Sequence, residues 1–229
     1  MDSATRMETP EAQPGILPDA AESGPADPAL SLREVSGIIL AGGKSSRFGR
    51  NKALATLGGR TIIEDLALRF RRAFEEVIIV ASDPSPYENL GVKVARDRVP
   101  GKGPLGGIHA GLAAAAYPRS FCLACDMPFV SLELAAYMAS LAPEADAVVP
   151  RIGDHYEPMH AVYVKTCLPA IERQLSAPDV KIIAFYSAVR VRVVSEGEVR
   201  RFGYPARIFF NINTVSDYGR AEEMIAERG

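Results

Sequence analysis

Hydrophobic and polar positions divide most of the chain into two kinds of segment. Almost continuously apolar runs predict buried strands, which we assign to VSGIILA, EVIIVAS, GVKVARD, SFCLACD, DAVVP, HAVYV, VRVRVVS and ARIFFNI. Segments with helical spacing of apolar residues predict helices, which we assign to RTIIEDLALRFRRAF, GGIHAGLAAAA, SLELAAYMASL, VSDYGRAEEMIAER and residues 166–175. In the first predicted helix, Thr61 and Glu64 match a capping box.

The order of these segments predicts the fold class. Strands alternate with helices, and most strands are apolar along their whole length, which is typical of a mostly parallel sheet covered on both faces. We therefore expect an α/β fold, a Rossmann-like three-layer αβα sandwich. The last segments alternate less regularly, which is consistent with a mixed sheet there.

The N-terminal part of the chain has a different composition. It is rich in Pro, Ala and acidic residues and poor in aromatic and β-branched ones, so it buries too little apolar surface to offset its ordering entropy. It also lacks the basic start and apolar block of a secretory signal. We predict a disordered extension over residues 1–34 and a single domain over residues 35–229.

Composition narrows the function classes. The net charge is −2, which argues against a general binder of nucleic acid or of anionic membranes. No apolar run is long enough to span a bilayer. Three cysteines fit a reducing cytoplasm, and Cys122 and Cys125 are best interpreted as small apolar residues of a buried strand. We expect a cytoplasmic protein with no nucleic-acid or membrane partner.

The segment IILAGGKSSRFGRNK contains the letters of a Walker A tail directly after the first strand. A Walker A loop would require glycine where Ile38 stands, and Gly37 is one residue too far away. The spacing of Gly42 and Gly43 to Gly49 does not fit a GxGxxG dinucleotide motif either. A P-loop kinase or ATPase is therefore disfavoured.

The same segment still carries residues suited to phosphate. Gly42 and Gly43 let the backbone approach a ligand closely, and four basic residues follow them, namely Lys44, Arg47, Arg50 and Lys52. Composition alone is equally compatible with a basic surface turn. The other strand ends favour a binding site, because ligands of open α/β sheets bind at the carboxyl ends of the strands.

Asp126, in CDMPF, follows the most apolar strand, where an unpaired carboxylate would be costly. Its simplest use is to bind a hard cation such as Mg²⁺, which also binds phosphates. An N-cap or a salt-bridged loop acid is the alternative. GKGPLGG adds a second glycine-rich turn, with Lys102 beside it. A metal carboxylate facing a basic glycine loop is typical of nucleotidyl or phosphoryl transfer.

With these residues in place, the sequence resembles the molybdenum cofactor guanylyltransferases. LAGGKSSRFGRNK, DRVPGKGPLGGI, CDMPF, HAVY and NINT occur in the order seen in that family. The resemblance extends from Val35 to the C-terminus and implies a fold of the nucleotide-diphospho-sugar transferase type.

The resemblance also implies roles for matching positions. It assigns the nucleotide to Leu40, Ala41, Gly42, Gly43, Lys52, Asp97 and Asp126. It assigns catalysis to Lys52, Arg47 and Asp126, with Mg²⁺ on Asp126. Near the acceptor it places Asn211 and Asn213. We further consider Glu157 and His160 for the acceptor cleft, whereas His109, His155 and His160 fit no triad or zinc pattern.

The implied reaction transfers GMP from GTP to the molybdopterin form of the molybdenum cofactor and releases pyrophosphate. Implied partners are GTP and molybdopterin as substrates, together with molybdoenzymes or cofactor-delivery proteins. Alternatives are a cytidylyltransferase of the same cofactor, another small-molecule nucleotidyltransferase, or a non-catalytic nucleotide-binding module. Two departures from the family pattern are Val215, where Pro is frequent, and Ser82, near which some members place Asn.

Overall fold

The computed structural model describes residues 31–42, 51–97, 99 and 101–227. The predicted disordered extension up to residue 30, and Gly43 and Arg47 of the predicted phosphate loop, lie outside these ranges. Leu32 is buried, and its carbonyl accepts a hydrogen bond from the Val35 N–H. Ordered packing is therefore already present just before the predicted domain boundary.

The strands and helices follow the predicted order closely. The strands are β1 (Val35–Leu40), β2 (Thr56–Leu57), β3 (Arg60–Thr61), β4 (Glu76–Ala81), β5 (Lys93–Arg96), β6 (Arg119–Ala124), β7 (Ala147–Ile152), β8 (His155–Tyr156), β9 (His160–Val164) and β10 (Val191–Val194). The helices are α1 (Ile62–Ala73), α2 (Pro104–Ala114), α3 (Leu132–Leu141), α4 (Leu168–Leu175), α5 (Glu196–Arg200), α6 (Pro205–Ile208) and α7 (Val215–Ala226). The predicted capping box of Thr61 and Glu64 starts α1.

The main sheet has the strand order β10-β7-β9-β6-β1-β4-β5, and β8 pairs with the end of β7. Strands β6, β1, β4 and β5 are parallel, as are β7 and β10, whereas β9 runs antiparallel between β6 and β7. The expectation of a mostly parallel sheet that is mixed in its later part is confirmed.

Two cores lie on the opposite faces of this sheet because successive strand residues point to opposite sides. In β1, Ile39 packs with the apolar faces of α1 and α3, and Ile38 packs with α2 and α4. The helices thus form the two outer layers of an αβα sandwich, as predicted.

The strand predicted at ARIFFNI is wrong. Residues 205–208 form the single-turn helix α6, in which Pro205 occupies a first-turn position that suits its fixed φ angle. Ile208, Phe209 and Ile212 are buried, so the apolar run reflects burial and not strand pairing. The Ile212 N–H donates to the Asp126 carbonyl at 2.9 Å instead of to a neighbouring strand.

Among the residues that the structure describes, no helix has the length and apolar character needed to cross a membrane.

Candidate functional site

Hydrogen bonding continues one residue past the carboxyl ends of the central strands. The Asp97 N–H donates to the Ala81 carbonyl at 3.1 Å, and the Cys125 N–H donates to the Leu40 carbonyl at 3.1 Å. These bonds fix Asp97, and Asp126 next to Cys125, at the same edge of the sheet. Asp97 and Asp126 therefore follow the carboxyl ends of β5 and β6, two parallel strands that are separated in the sheet by β1 and β4.

A cavity of about 480 Å³ opens at this edge. It is lined by Leu40, Gly42, Val80, Ser82, Asp97, Gly101, Gly103, Pro104, Gly107 and Met159. Helix α2 starts at its wall with Gly103 as N-cap, at a φ angle of 62° that glycine adopts without strain. No described side chain caps this end, so the helix dipole favours an anion there.

The glycines of GPLGG allow helix α2 to approach the strand ends closely. A Cβ atom at Gly106 would lie 3.1 Å from Asp97 Oδ1, and one at Gly107 would lie 3.2 Å from Leu40 Cδ2. Asp97 Oδ1 also accepts a hydrogen bond from the Val99 N–H at 3.0 Å. The Asp97 carboxylate is therefore held between a loop N–H and the start of the helix.

Lys52 contacts a residue of the C-terminal part of the chain. Its Nζ donates to Asn213 Oδ1 at 3.1 Å. The neighbouring Asn51 caps the short 3₁₀ helix Lys52–Leu54, and its side-chain amide donates to the Tyr87 hydroxyl at 2.7 Å. Tyr87 is buried and in turn donates to the Ala41 carbonyl at 3.4 Å. This chain of bonds positions Lys52 relative to the end of β1.

Asp126 is half-buried, and the loss of hydration raises its pKa above the ordinary value, an effect that the nearby Lys52 ammonium partly opposes. The Asp126 carbonyl accepts the Ile212 N–H, which brings NINT alongside CDMPF. Lys52, Asp126 and Asn213 are thus brought together from three distant parts of the chain.

Two other predicted residues are placed differently. The Asn211 side-chain amide donates to the Phe209 carbonyl at 3.0 Å, a local turn contact. Lys102 directs its Nζ towards the Ala177 carbonyl at 3.4 Å, on the loop after α4. Within the described ranges, no group of three or more His, Cys, Asp or Glu side chains could hold a metal ion.

A second cavity, of about 280 Å³, lies at the same edge above β7 and is lined by Ile152, Glu157, Glu196, Arg200, Tyr204, Pro205, Ala206 and Phe209. Burial raises the pKa of Glu157 to about 7. Glu157 was a candidate from the sequence, whereas Glu196, Arg200 and Tyr204 were not, because no motif marks them.

His160 is completely buried between Phe121 and Phe209, with ring centroids 5.1 Å from each. Neither ring nitrogen has a hydrogen-bond partner in the described part of the chain, and burial lowers the pKa of the imidazole to about 3. The ring is therefore neutral and contributes to packing. Cys122 and Cys125 are free thiols, and burial raises the pKa of both.

The mixed α/β sheet has a nucleotide-sized cavity at its carboxyl edge, a glycine-rich helix start and a lysine beside a half-buried aspartate. This arrangement suits a nucleotidyltransferase. The chain belongs to the family described as the MobA-like NTP transferase domain, whose model matches residues 37–191. The family resemblance and the enzyme class inferred from the sequence are confirmed, and the P-loop alternative is excluded.

The similarity between this chain and its relatives covers most of both proteins. A protein of Pelotomaculum thermopropionicum called "Probable molybdenum cofactor guanylyltransferase" is 44% identical, with 84% of this chain and 94% of that protein covered. "Molybdenum cofactor guanylyltransferase" of Desulfosudis oleivorans is 38% identical, with 83% and 96% covered.

Solved structures agree with this assignment. Molybdopterin-guanine dinucleotide biosynthesis protein A of Archaeoglobus fulgidus superposes with a TM-score of 0.75 at 28% identity, over 84% of this chain and all of the other. A 2-C-methyl-D-erythritol 4-phosphate cytidylyltransferase of Thermus thermophilus has a TM-score of 0.62 at 22% identity, over 84% and 98% of the two chains, and shares the fold.

Proposed function

We propose that the protein transfers GMP from GTP to the molybdopterin form of the molybdenum cofactor, giving the guanine dinucleotide and pyrophosphate, with Mg²⁺. The observation that carries the proposal is the convergence of Lys52, Asp126 and Asn213 at the same edge of the sheet as a nucleotide-sized cavity. The names of the full-length relatives support the choice of donor and acceptor.

The proposed chemistry requires little proton transfer. A phosphate acceptor is already ionised near neutral pH, so it can attack the α-phosphate of GTP in line without a strong general base. Catalysis then consists of positioning and of offsetting the charge that develops on the leaving pyrophosphate. Lys52 supplies a positive charge for that purpose, and its bond to Asn213 limits the directions in which the ammonium can point.

The residues present fit a divalent cation. Asp126 is a desolvated carboxylate whose charged form is disfavoured in the free protein. A bound cation would stabilise that charged form. Mg²⁺ is commonly held by one or two carboxylates together with substrate phosphates, and it would supply further charge neutralisation there. Asp126 is the residue that would hold it.

The remaining nucleotide contacts belong to the proposal as well. Leu40, Ala41 and Gly42 would present backbone groups to the nucleotide, and Asp97 would contact its base and ribose side. Leu40, Gly42 and Asp97 line the cavity, which supports these roles. Gly43 would extend the backbone cradle and Arg47 would assist Lys52; both lie outside the described residues. Asn211, through its local turn, would help shape the acceptor side together with Asn213.

The proposal includes a cytoplasmic setting, which three free cysteines support. It also includes cofactor-delivery proteins or molybdoenzymes as partners, because a pterin cofactor has to be supplied to the enzyme and passed on.

A thermal-shift titration with GTP, CTP and ATP, each with and without Mg²⁺, tests the proposal. Ligand at one hundred times its Kd stabilises a fold by about 2.7 kcal/mol, so a selective Mg²⁺-dependent shift with GTP is the expected result. Release of pyrophosphate in the presence of freshly prepared molybdenum cofactor then tests turnover. A shift selective for CTP would assign the protein to cytidylyl transfer, and no shift with any nucleotide would refute the proposal.

A further inference from the structure

The two cavities at the carboxyl edge are separated by one turn of the chain. Glu157 lines the smaller cavity, and Met159, two residues later, lines the nucleotide cavity. A ligand in the smaller cavity would therefore lie beside the nucleotide without overlapping it. The inference that follows rests on the proposed function, since it concerns the second substrate of the same reaction.

Hydrogen bonds hold this turn in place. The Glu157 N–H donates to the Pro150 carbonyl at 2.8 Å, and the His160 N–H donates to the Glu157 carbonyl at 3.1 Å. The Tyr163 hydroxyl donates to the Pro158 carbonyl at 2.8 Å. The turn is thus a fixed wall between the cavities, with the Glu157 side chain on the side of the smaller one.

The smaller cavity is connected to the reaction centre through its Phe209 wall. The Phe209 carbonyl accepts the Asn211 side-chain amide at 3.0 Å, and the adjacent Ile212 N–H contacts the Asp126 carbonyl at 2.9 Å. One continuous segment therefore joins the cavity to Asp126, and Asn213, the next residue, contacts Lys52. An acceptor with its ring in the cavity would therefore lie at one end of a segment whose other end contacts Lys52.

The polar groups of the smaller cavity differ in whether they already have hydrogen-bond partners. Glu196 is engaged, because Arg200 donates to its carboxylate at 2.5 Å and the Gly153 N–H does so at 3.3 Å. Arg200 also lies over the Tyr204 ring, 5.9 Å from its centroid. In the described part of the chain, no hydrogen bond reaches the Glu157 carboxyl group, although it is half-buried. Burial has raised its pKa to about 7, so a ligand donor would meet an acceptor to which no described group donates.

We infer that this cavity binds the pterin ring of the acceptor and that the Glu157 carboxylate accepts hydrogen bonds from the adjacent 2-amino and N3–H groups of that ring. A planar carboxylate matches two parallel N–H donors, and a charge-assisted pair of this kind gives both affinity and selectivity. At about 280 Å³, the cavity is near the lower limit of small-molecule pockets, which suits one bicyclic ring. Glu157 is here a specificity residue and has no part in bond making.

Equilibrium binding of free pterin, followed by its fluorescence, tests the inference on the full-length protein. Lumazine, in which a carbonyl replaces the 2-amino group, is the matched control ligand. Glu157→Gln should weaken pterin binding by about tenfold or more, because hydrogen bonds to charged groups contribute about 1.5–3 kcal/mol. Wild type should bind lumazine at least about tenfold more weakly than pterin, and Glu157→Gln should change lumazine binding much less.

Two further variants control for folding and for charge. Ala206→Phe adds bulk at an exposed position of the cavity wall and should also weaken pterin binding. Glu172→Gln makes the same chemical change on α4, where Glu172 contacts His109 at 3.1 Å, and should leave pterin binding unchanged. The Mg²⁺-dependent thermal shift with GTP should be the same in all three variants, which also reports that each is folded.

The outcomes separate this inference from the proposed function. If wild type shows the GTP shift but binds no pterin at millimolar concentration, or if Glu157→Gln binds pterin as wild type does, the pterin subsite is refuted and the proposed function stands. Equal binding of lumazine and pterin by wild type would refute the role of Glu157. Pterin binding that depends on Glu157, without any nucleotide shift, would support the subsite and refute the proposed nucleotidyl transfer.

Discussion

Lys52 Nζ donates a hydrogen bond to Asn213 Oδ1 at 3.1 Å, although 161 positions separate the two residues in sequence. The bond joins the segment after the first strand to the segment before the last helix. It places a cation and a fixed amide oxygen beside Asp126, and the consequences of that arrangement can be measured one residue at a time.

Lys52→Ala is expected to lower kcat by about 10²–10³-fold, the usual cost of removing one preorganised group that stabilises a developing charge. Asn213→Ala should cost less, about tenfold, because it releases the lysine without removing its charge. Rates of pyrophosphate release at saturating GTP measure both effects. Lys93→Ala is the matched control: Lys93 contacts Glu76 and the Ala114 carbonyl at the far end of β5, and this variant should keep its kcat. Near-full turnover by Lys52→Ala would remove Lys52 from the mechanism.

Asp126→Asn is expected to abolish activity and at the same time to stabilise the nucleotide-free fold. The folded state raises the pKa of Asp126 through desolvation, so the ionised carboxylate destabilises the fold as pH rises above its ordinary value. An amide removes that cost at neutral pH. Urea unfolding without Mg²⁺ should therefore show a higher midpoint for the variant, and Mg²⁺ should no longer enhance its GTP shift. A lower midpoint would contradict the assigned cause of the shift.

Asp146→Asn should give the opposite result. Hydrogen bonds from Arg190 lower the pKa of Asp146 to about 2, from an ordinary value of 3.8. This carboxylate therefore contributes stability that is present above the ordinary value and is lost as pH falls towards 2, on the order of 2 kcal/mol. It lies just before β7, away from the carboxyl edge. The variant should unfold at lower urea concentration at pH 7 and keep its kcat; a loss of kcat with unchanged stability would be inconsistent with this structural role.

Glu157 should give the protein a measurable pH dependence. Burial raises its pKa from 4.5 to about 7, so the folded state holds the proton more tightly and its stability falls as pH rises through that interval. The full effect is on the order of 3 kcal/mol. Glu196, Arg200 and Tyr204 face the same cavity and remain in place in Glu157→Gln.

Urea unfolding at pH 5 and pH 8 separates the contribution of Glu157 from all others. Other titrating groups contribute alike to wild type and to Glu157→Gln, so the difference between the two proteins isolates this carboxyl group. The variant should lose less stability between the two pH values than wild type. Equal losses would show that Glu157 titrates normally.

Gly106→Ala should raise the KM for GTP with little change in kcat. The added methyl group would lie 3.1 Å from Asp97 Oδ1 and would displace a carboxylate that lines the nucleotide cavity. Gly219→Ala in α7 is the matched control, because no described atom beyond its own helical turn lies within 4 Å of its added methyl group. The control should leave KM unchanged and stabilise the helix by about 0.5–1 kcal/mol. An unchanged KM in Gly106→Ala would contradict a role for Asp97 in nucleotide binding.

The sequence predicted the features that depend on local pattern. The layers followed from the alternation of apolar strands and amphipathic helices. The edge positions of Asp97 and Asp126 followed from the rule that carboxyl ends of parallel strands meet. The strand wrongly predicted at ARIFFNI shows the limit of this reasoning, since an apolar run such as Ile208, Phe209 and Ile212 is buried alike in a strand and in a single helical turn.

The relations between distant segments could not be predicted. The contact of Lys52 with Asn213 depends on how the last segment returns across the sheet, which no spacing encodes. The smaller cavity is similar, because Glu157, Glu196, Arg200 and Tyr204 belong to different elements that packing brings together. Glu157 was considered only because it lies near HAVY in sequence.

Strand β9 runs in the opposite direction to its neighbours, and this separates the contributions of the two halves of the chain to the site. Because β9 begins at the edge where its neighbours end, the turn before it belongs to the C-terminal half of the chain and lies at the site. The nucleotide cavity is formed mainly by the N-terminal half, at the ends of β1, β4, β5 and β6. Under the proposed function, donor and acceptor recognition would therefore depend on largely separate stretches of sequence. Such an arrangement lets one half diverge towards a new acceptor while the other retains the same triphosphate chemistry.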